Sequence, residues 1–189
     1  MPIRTHGIKP ENLKLVAKKV MVMRDEDDDK VDGIVLPETS RGYTHRAEVL
    51  KVSDDIAELY TTGDIVLYLK EYAVTPLEDI RVAIVRGDKI IARVEEQKGL
   101  DYEVIIPQNG YVLVEPEPSD AQVGHLYITN PAKSNAGRII MFSDTCETVR
   151  VTDERVIYFF GTAILCSEDD KLLHLIHEDD ILCVGDITE

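Results

Sequence analysis

The chain has 189 residues, of which 44% are hydrophobic and 30% are charged, a composition that favours a folded chain over a disordered one. Its longest apolar runs are about five residues, which excludes a transmembrane helix because a bilayer requires roughly 20. The formal net charge of -15 opposes binding to a phosphate backbone, so we expect no nucleic-acid partner.

Short apolar segments recur along the chain and are rich in Val and Ile. Gly, Asp, Pro and Ser flank them, which is the pattern of β-strands joined by turns. In the first half, strand-forming sequence covers residues 19–24, 47–52, 65–68 and 82–91. No segment holds a clean helical periodicity, so the predicted fold class is all-β.

The pattern of the first half returns in the second. Residues 20–23 lie 91 positions before 111–114, residues 48–50 and 65–68 lie 90 positions before 138–140 and 155–158, and residues 82–91 lie 91 positions before 173–182. A repeat of this length predicts two similar units. We expect two tandem β-barrels, one over residues 1–96 and one over residues 104–189, joined by a polar connector.

A polar segment separates the first two predicted strands. It begins with the acidic run Asp25-Glu26-Asp27-Asp28-Asp29 and continues to Arg46. Within it lies the aliphatic tripeptide Ile34, Val35 and Leu36, which such polar neighbours do not readily bury. We expect a mobile loop over residues 25–46 and a partner for the tripeptide, because exposed apolar patches mark interaction sites. An ordinary buried strand is the alternative.

These features together resemble the chaperonin-10 family, the GroES-type co-chaperonins. The resemblance covers residues 13–95: the first strand, the tripeptide after Gly33, the return strand Glu48-Val49-Leu50, and residues 63–67 and 87–92. It implies a GroES-like β-barrel subunit in a ring that caps a chaperonin cylinder and assists ATP-dependent protein folding. It also implies that Ile34, Val35 and Leu36 dock on the apical domains of a GroEL-type chaperonin, which would itself bind the ATP.

The second half resembles the family only through the internal repeat and is more degenerate. Its shorter loop contains Leu126, Tyr127 and Ile128, the second candidate docking loop. Two fused barrels resemble the double-barrel plastid co-chaperonins. Two barrels per chain imply either a homo-oligomeric ring with an even number of barrels or a mixed ring completed by single-barrel subunits.

Other patterns indicate structure rather than chemistry. His174 and His177 would share one face of a helix as metal ligands, but on a strand positions i and i+3 face opposite ways, so we expect partly exposed strand residues and no metal. The acidic runs lack the alternating ligands and Gly of a calcium loop. Cys146, Cys166 and Cys183 have no metal or redox spacing, and we expect buried, reduced thiols.

No catalytic set is recognisable, whether a Ser/His/Asp triad, a carboxylate pair or a phosphate-binding Gly loop. We therefore expect neither an enzyme nor a cofactor. The N-terminal segment lacks the pattern of a secretory signal, and cytoplasmic localisation is expected. The competing hypothesis is a tandem GroES-like barrel repurposed as a structural or protein-binding module that does not cap a chaperonin.

Overall fold

A computed structural model describes residues 13–24, 30–31, 34–35, 44–75, 81–96, 103–117, 120–123, 126–129, 135–159, 164–168 and 171–185. These residues form β-strands and short 3₁₀ turns without any α-helix, which confirms the all-β class. No helix among them has the length and apolar character to span a membrane. The chain divides into two compact units, Met1–Val94 and Glu95–Glu189, called unit 1 and unit 2 below.

The described strands of unit 1 are β1 (Lys19–Arg24), β2 (Lys30–Val31), β3 (Ile34–Val35), β4 (Thr44–Val52), β5 (Ile65–Leu69), β6 (Val82–Arg86) and β7 (Ile90–Glu96). Among these strands, those of the main sheet follow the order β6-β1-β4-β5-β7, with antiparallel neighbours. Strands β2 and β3 pair with each other as a separate hairpin. Strand β4 begins three residues before the strand expected at Ala47, so residues 44–46 belong to the sheet and not to the predicted loop.

The core of unit 1 follows the period-two alternation of its strands. Val20 and Val22 of β1 are fully buried against Val49, Val66 and Tyr68 from β4 and β5. Met21 lies on the other face of β1, where it packs with Leu15 and Val82. Strand β1 is therefore buried on both faces, which explains its continuous apolar sequence.

The described strands of unit 2 are β8 (Glu103–Pro107), β9 (Tyr111–Pro116), β10 (Asp120–Val123), β11 (Leu126–Thr129), β12 (Ala136–Phe142), β13 (Arg155–Tyr158), β14 (Ile164–Glu168), β15 (Lys171–His177) and β16 (Ile181–Val184). Its main sheet has the order β14-β15-β9-β12-β13-β16, again antiparallel throughout. Strands β10 and β11 form a separate hairpin.

The two units share one topology. Strands β15, β9, β12, β13 and β16 follow one another in the order of β6, β1, β4, β5 and β7. Matching hydrogen bonds support this: the amide of Ser53 donates to the Lys19 carbonyl, and the amide of Ser143 donates to the Tyr111 carbonyl. The internal repeat predicted from sequence is confirmed.

One part of the sequence alignment of the two halves is wrong. The hydrogen bonds of Ser53 and Ser143 match Lys19 with Tyr111, so β1 and β9 lie 92 residues apart and not 91. The core valines agree, because Val112 and Val114 take the places of Val20 and Val22. A slip of one residue exchanges the two faces of a strand, but three consecutive apolar residues in each strand conceal it.

Neither main sheet closes into a ring of hydrogen-bonded strands over the described residues. Two antiparallel sheets are therefore established, and the two barrels remain a prediction.

The two units differ in their use of glycine at two places: the turn before β1 or β9, and one position of β12. Before β9 the left-handed positions are Asn109 and Gly110, with φ of 52° and 79°; before β1 they are Ala17 and Lys18, with φ of 57° and 55°. A left-handed conformation costs about 1–2 kcal/mol for a residue with a Cβ. In β12, a Cβ on Gly137 would lie 2.5 Å from the Glu115 carbonyl oxygen and would also collide with Val114.

Candidate functional site

The predicted docking tripeptide lies between β1 and β4. Ile34 and Val35 form β3, opposite Val31 and Lys30 of β2, in the hairpin that is separate from the main sheet. Leu36 and the remainder of the predicted loop before Thr44, apart from β2 and β3, lie outside the described residues. The backbone thus assigns two of the three residues to a short hairpin connected to the main sheet at β1 and β4.

The base of this segment is a contact between its two ends. Arg24, the last residue of β1, has its Nη1 3.1 Å from Nε2 of His45, the second residue of β4. The ring of His45 lies on Tyr68 of β5, with 5.6 Å between ring centroids and an interplanar angle of 49°. His45 is 5% exposed and Tyr68 is fully buried. We call Arg24, His45 and Tyr68 the loop-base cluster.

The second candidate docking loop forms a longer hairpin. Leu126, Tyr127 and Ile128 belong to β11 and stand opposite Val123, Gln122 and Ala121 of β10, with Asp120 and Thr129 as the fourth pair. The sequence pattern did not predict this ladder. Over the described residues this hairpin has four cross-strand pairs, against two in the hairpin of unit 1, so its ladder is the longer one.

The base of the second segment has different chemistry. At the positions of Arg24 and His45, unit 2 has Pro116 and Asn135. Glu117 closes this base: its amide donates to the Ala136 carbonyl, and its carboxylate lies 2.6 Å from Nη2 of Arg155. Both charged side chains are more than a third exposed, so the ion pair contributes modestly to stability.

His174 is not a metal ligand candidate, and its predicted exposure is wrong. It is fully buried, and its Nδ1 lies 2.6 Å from the hydroxyl of Tyr158 in an edge-to-face arrangement. Burial lowers the pKa of His174 to about 4. His174 shares a face of β15 with the core residue Ile176, and it lies opposite the core residue Val114 and against Tyr158, so it is inaccessible.

His177, the last residue of β15, makes local contacts. Its Nδ1 accepts a hydrogen bond from the Asp179 amide, and its ring packs edge-on against Tyr111. Within the described part of the chain, no cluster of three or more His, Cys, Asp or Glu residues could hold a metal ion.

The cysteine prediction holds for one residue and fails for another. Cys146 is buried in the core of unit 2; burial, with a smaller contribution from the Glu178 charge, raises the pKa of its thiol to about 11. Cys183 is exposed, because it belongs to β16, the outer strand of the unit 2 sheet. The side chain of Cys166 lies outside the described residues.

Strand β16 and the residue that follows β13 carry exposed apolar side chains. Leu182 is 65% exposed and Phe159 is 60% exposed. The amide of Phe159 donates to the Asp180 carbonyl, which brings these two segments together. Ile91, which takes the place of Leu182 in β7, is only 1% exposed. The two units therefore differ in the exposure of this strand.

No protein-family model matches the chain, and no curated protein matches it. The resemblance to the chaperonin-10 family accordingly rests on the residues and the repeat described above.

The loop-base cluster is the structural feature of this candidate site that sequence reasoning missed. A charged residue at a strand end and a His within a polar segment are both commonplace in sequence. Their contact depends on β1 and β4 being neighbours in the sheet. The sequence feature that could have revealed the cluster is the internal repeat, because unit 2 has Pro116 and Asn135 at the positions of Arg24 and His45.

Proposed function

We propose that the chain is a cytoplasmic co-chaperonin of two GroES-like barrels that caps a GroEL-type chaperonin and docks through Ile34, Val35 and Leu36. The observation that carries the proposal is the position of Ile34 and Val35 in a hairpin outside the main sheet, inserted between β1 and β4. An aliphatic segment held apart from its own sheet is suited to adding to a partner surface.

The energetics favour weak individual contacts. Three aliphatic side chains entering an apolar groove bury roughly 300 Å², which corresponds to several kcal/mol at about 25 cal/mol per Å². Ordering the chain between Arg24 and Thr44, which carries the tripeptide and is called the docking segment below, offsets much of this gain. Several loops acting together supply the avidity of the complex, so the proposal requires an oligomer.

The proposed oligomer uses the outer strand of unit 2. Strand β16 ends the unit 2 sheet and exposes Leu182, whereas the matching Ile91 is buried. An uncovered apolar outer strand readily pairs with another chain. A second copy covering β16 would extend the assembly, giving a ring with an even number of barrels, or a mixed ring that includes single-barrel subunits. Native mass spectrometry of the protein at tens of micromolar tests this point.

The decisive experiment is binding to a purified GroEL-type chaperonin in the presence of ADP. Val35→Asp should abolish binding and leave the melting temperature nearly unchanged, because a buried unpaired charge is costly while a charge outside the main sheet is not. Val74→Asp is the matched control, since Val74 is 62% exposed in the same unit. Normal binding by Val35→Asp, or its unfolding, would contradict the proposal.

A tandem module that binds another protein without capping a chaperonin is the second candidate. The exposure of Phe159 and Leu182 favours it, because this apolar surface is independent of the docking tripeptide. The two functions differ in which change matters. Val35→Asp is the change that separates them, because it should leave such a module active and abolish binding by a co-chaperonin. Leu182→Asp should impair both functions, since the proposed oligomer also uses Leu182.

A further inference from the structure

We infer that Arg24 and His45 are positioning residues for the docking segment of unit 1. This inference rests on the proposed function. Strand β1 ends at Arg24 and β4 begins at Thr44, so the two residues mark where the chain leaves the main sheet and where it returns. The 3.1 Å contact between Arg24 Nη1 and His45 Nε2 joins these two points through side chains.

The chemistry of the two groups determines which one donates the hydrogen bond and which one accepts it. A guanidinium has only donors and stays protonated, so Arg24 donates and Nε2 of His45 accepts. Acceptance at Nε2 requires the tautomer that carries its proton on Nδ1. A charge-assisted hydrogen bond of this kind is stronger than a neutral one, and here its acceptor is nearly removed from solvent, because His45 is 5% exposed.

Arg24 and His45 each make a further contact with the rest of unit 1. The amide of Arg24 donates to the Arg81 carbonyl, which fixes the end of β1. The His45 ring packs on the fully buried Tyr68, the residue opposite it in β5. The contact thus joins the two strand ends that flank the docking segment, on β1 and β4, and links them to β5.

The second unit provides an internal comparison. Its backbone repeats that of unit 1, and Tyr158 takes the place of Tyr68, but Pro116 and Asn135 stand where unit 1 has Arg24 and His45. Tyr158 instead bonds to His174, at the position of Ala83. The Arg–His pair is therefore specific to the unit that carries Ile34, Val35 and Leu36.

A fixed base reduces the freedom that the segment loses on docking, and binding costs fall when the bound arrangement is pre-organised. Breaking the contact should weaken chaperonin binding by about tenfold. We expect the change to act through the position of the docking segment and not through a direct contact of His45 with the chaperonin, because His45 is buried.

The test compares His45→Leu with His45→Gln in the full chain. Leu fills space without an acceptor, while the Gln side-chain oxygen can accept from Arg24 as Nε2 does. Hydrogen exchange at the amides of Arg24 and His45 measures the base itself, and the dissociation constant for a GroEL-type chaperonin with ADP measures docking. We expect faster exchange and about tenfold weaker binding for His45→Leu, with both restored by His45→Gln.

Equal behaviour of the two variants in both measurements would overturn the inference. If His45→Leu does not fold, Arg24→Met with Arg24→Lys as its rescue makes the same comparison from the other side. If the unmodified protein does not bind the chaperonin, the proposed function fails. The exchange measurement then decides by itself whether the Arg–His contact fixes the base.

Discussion

Acidification should destabilise unit 2 through His174. The side chain is fully buried, and burial lowers its pKa from 6.5 to about 4. As the pH falls below 6.5, the unfolded chain takes up the proton first, so stability that is complete above pH 6.5 is lost progressively down to pH 4. At 1.36 kcal/mol per pH unit, the loss is about 3 kcal/mol, a large part of the stability of a small domain.

This loss is measured as the free energy of unfolding in urea at several pH values between 7 and 4. Hydrogen exchange at the Val112 and Val114 amides of β9 reports the unfolding of unit 2. Because carboxylates also titrate in this range, the informative quantity is the difference between the natural chain and His174→Ala. Ala is the residue at the matching position, Ala83. The variant should start less stable at pH 7 and then lose about 3 kcal/mol less on acidification. Parallel pH dependences of the two proteins would refute the reasoning.

Gly137→Ala should destabilise unit 2 by about 3 kcal/mol in urea unfolding because its Cβ meets the Glu115 carbonyl, whereas Ala47→Gly at the matching position should cost only about 1 kcal/mol; similar costs would contradict the steric argument. Lys18→Gly should raise the unfolding free energy by up to about 1 kcal/mol by relieving the left-handed conformation, and a loss of stability would count against strain at this turn. In a Cys166→Ala background, Cys183 should react with a thiol reagent in the native state and Cys146 should not; one fast-reacting thiol is expected, and two would show that the buried site opens.

The sequence was sufficient to predict the apolar strands that recur in the two main sheets, but it did not predict the separate hairpin β10–β11. Alternating and continuous Val/Ile segments specify β-structure locally. The repeat predicted that the two units share a topology, but it did not predict which strands pair with each other. Register was harder to predict. In β1 and β9 every central residue is apolar because both faces are buried, so the pattern contains no period of two from which a one-residue slip could be detected.

Burial of individual polar residues could not be predicted. His174 appears in sequence as one of two histidines among leucines, and its burial depends on the core into which that face of β15 packs, with Val114 and Tyr158 contributed by other strands. Cys183 has apolar neighbours in sequence but lies at the end of the sheet order. Both outcomes are set by long-range strand pairing, which local composition does not determine. The Arg24–His45 contact escaped prediction for the same reason.

The close packing around Gly137 bears on how a tandem chain avoids misassembly. Two units with one topology, joined in one polypeptide, can exchange strands during folding, so that β4 would pair with β9. Ala47 would then occupy the position of Gly137, where its Cβ would meet the Glu115 carbonyl and Val114. The single methyl group that distinguishes these two positions therefore makes the exchanged pairing unfavourable, and sequence divergence between the two halves favours correct folding of each.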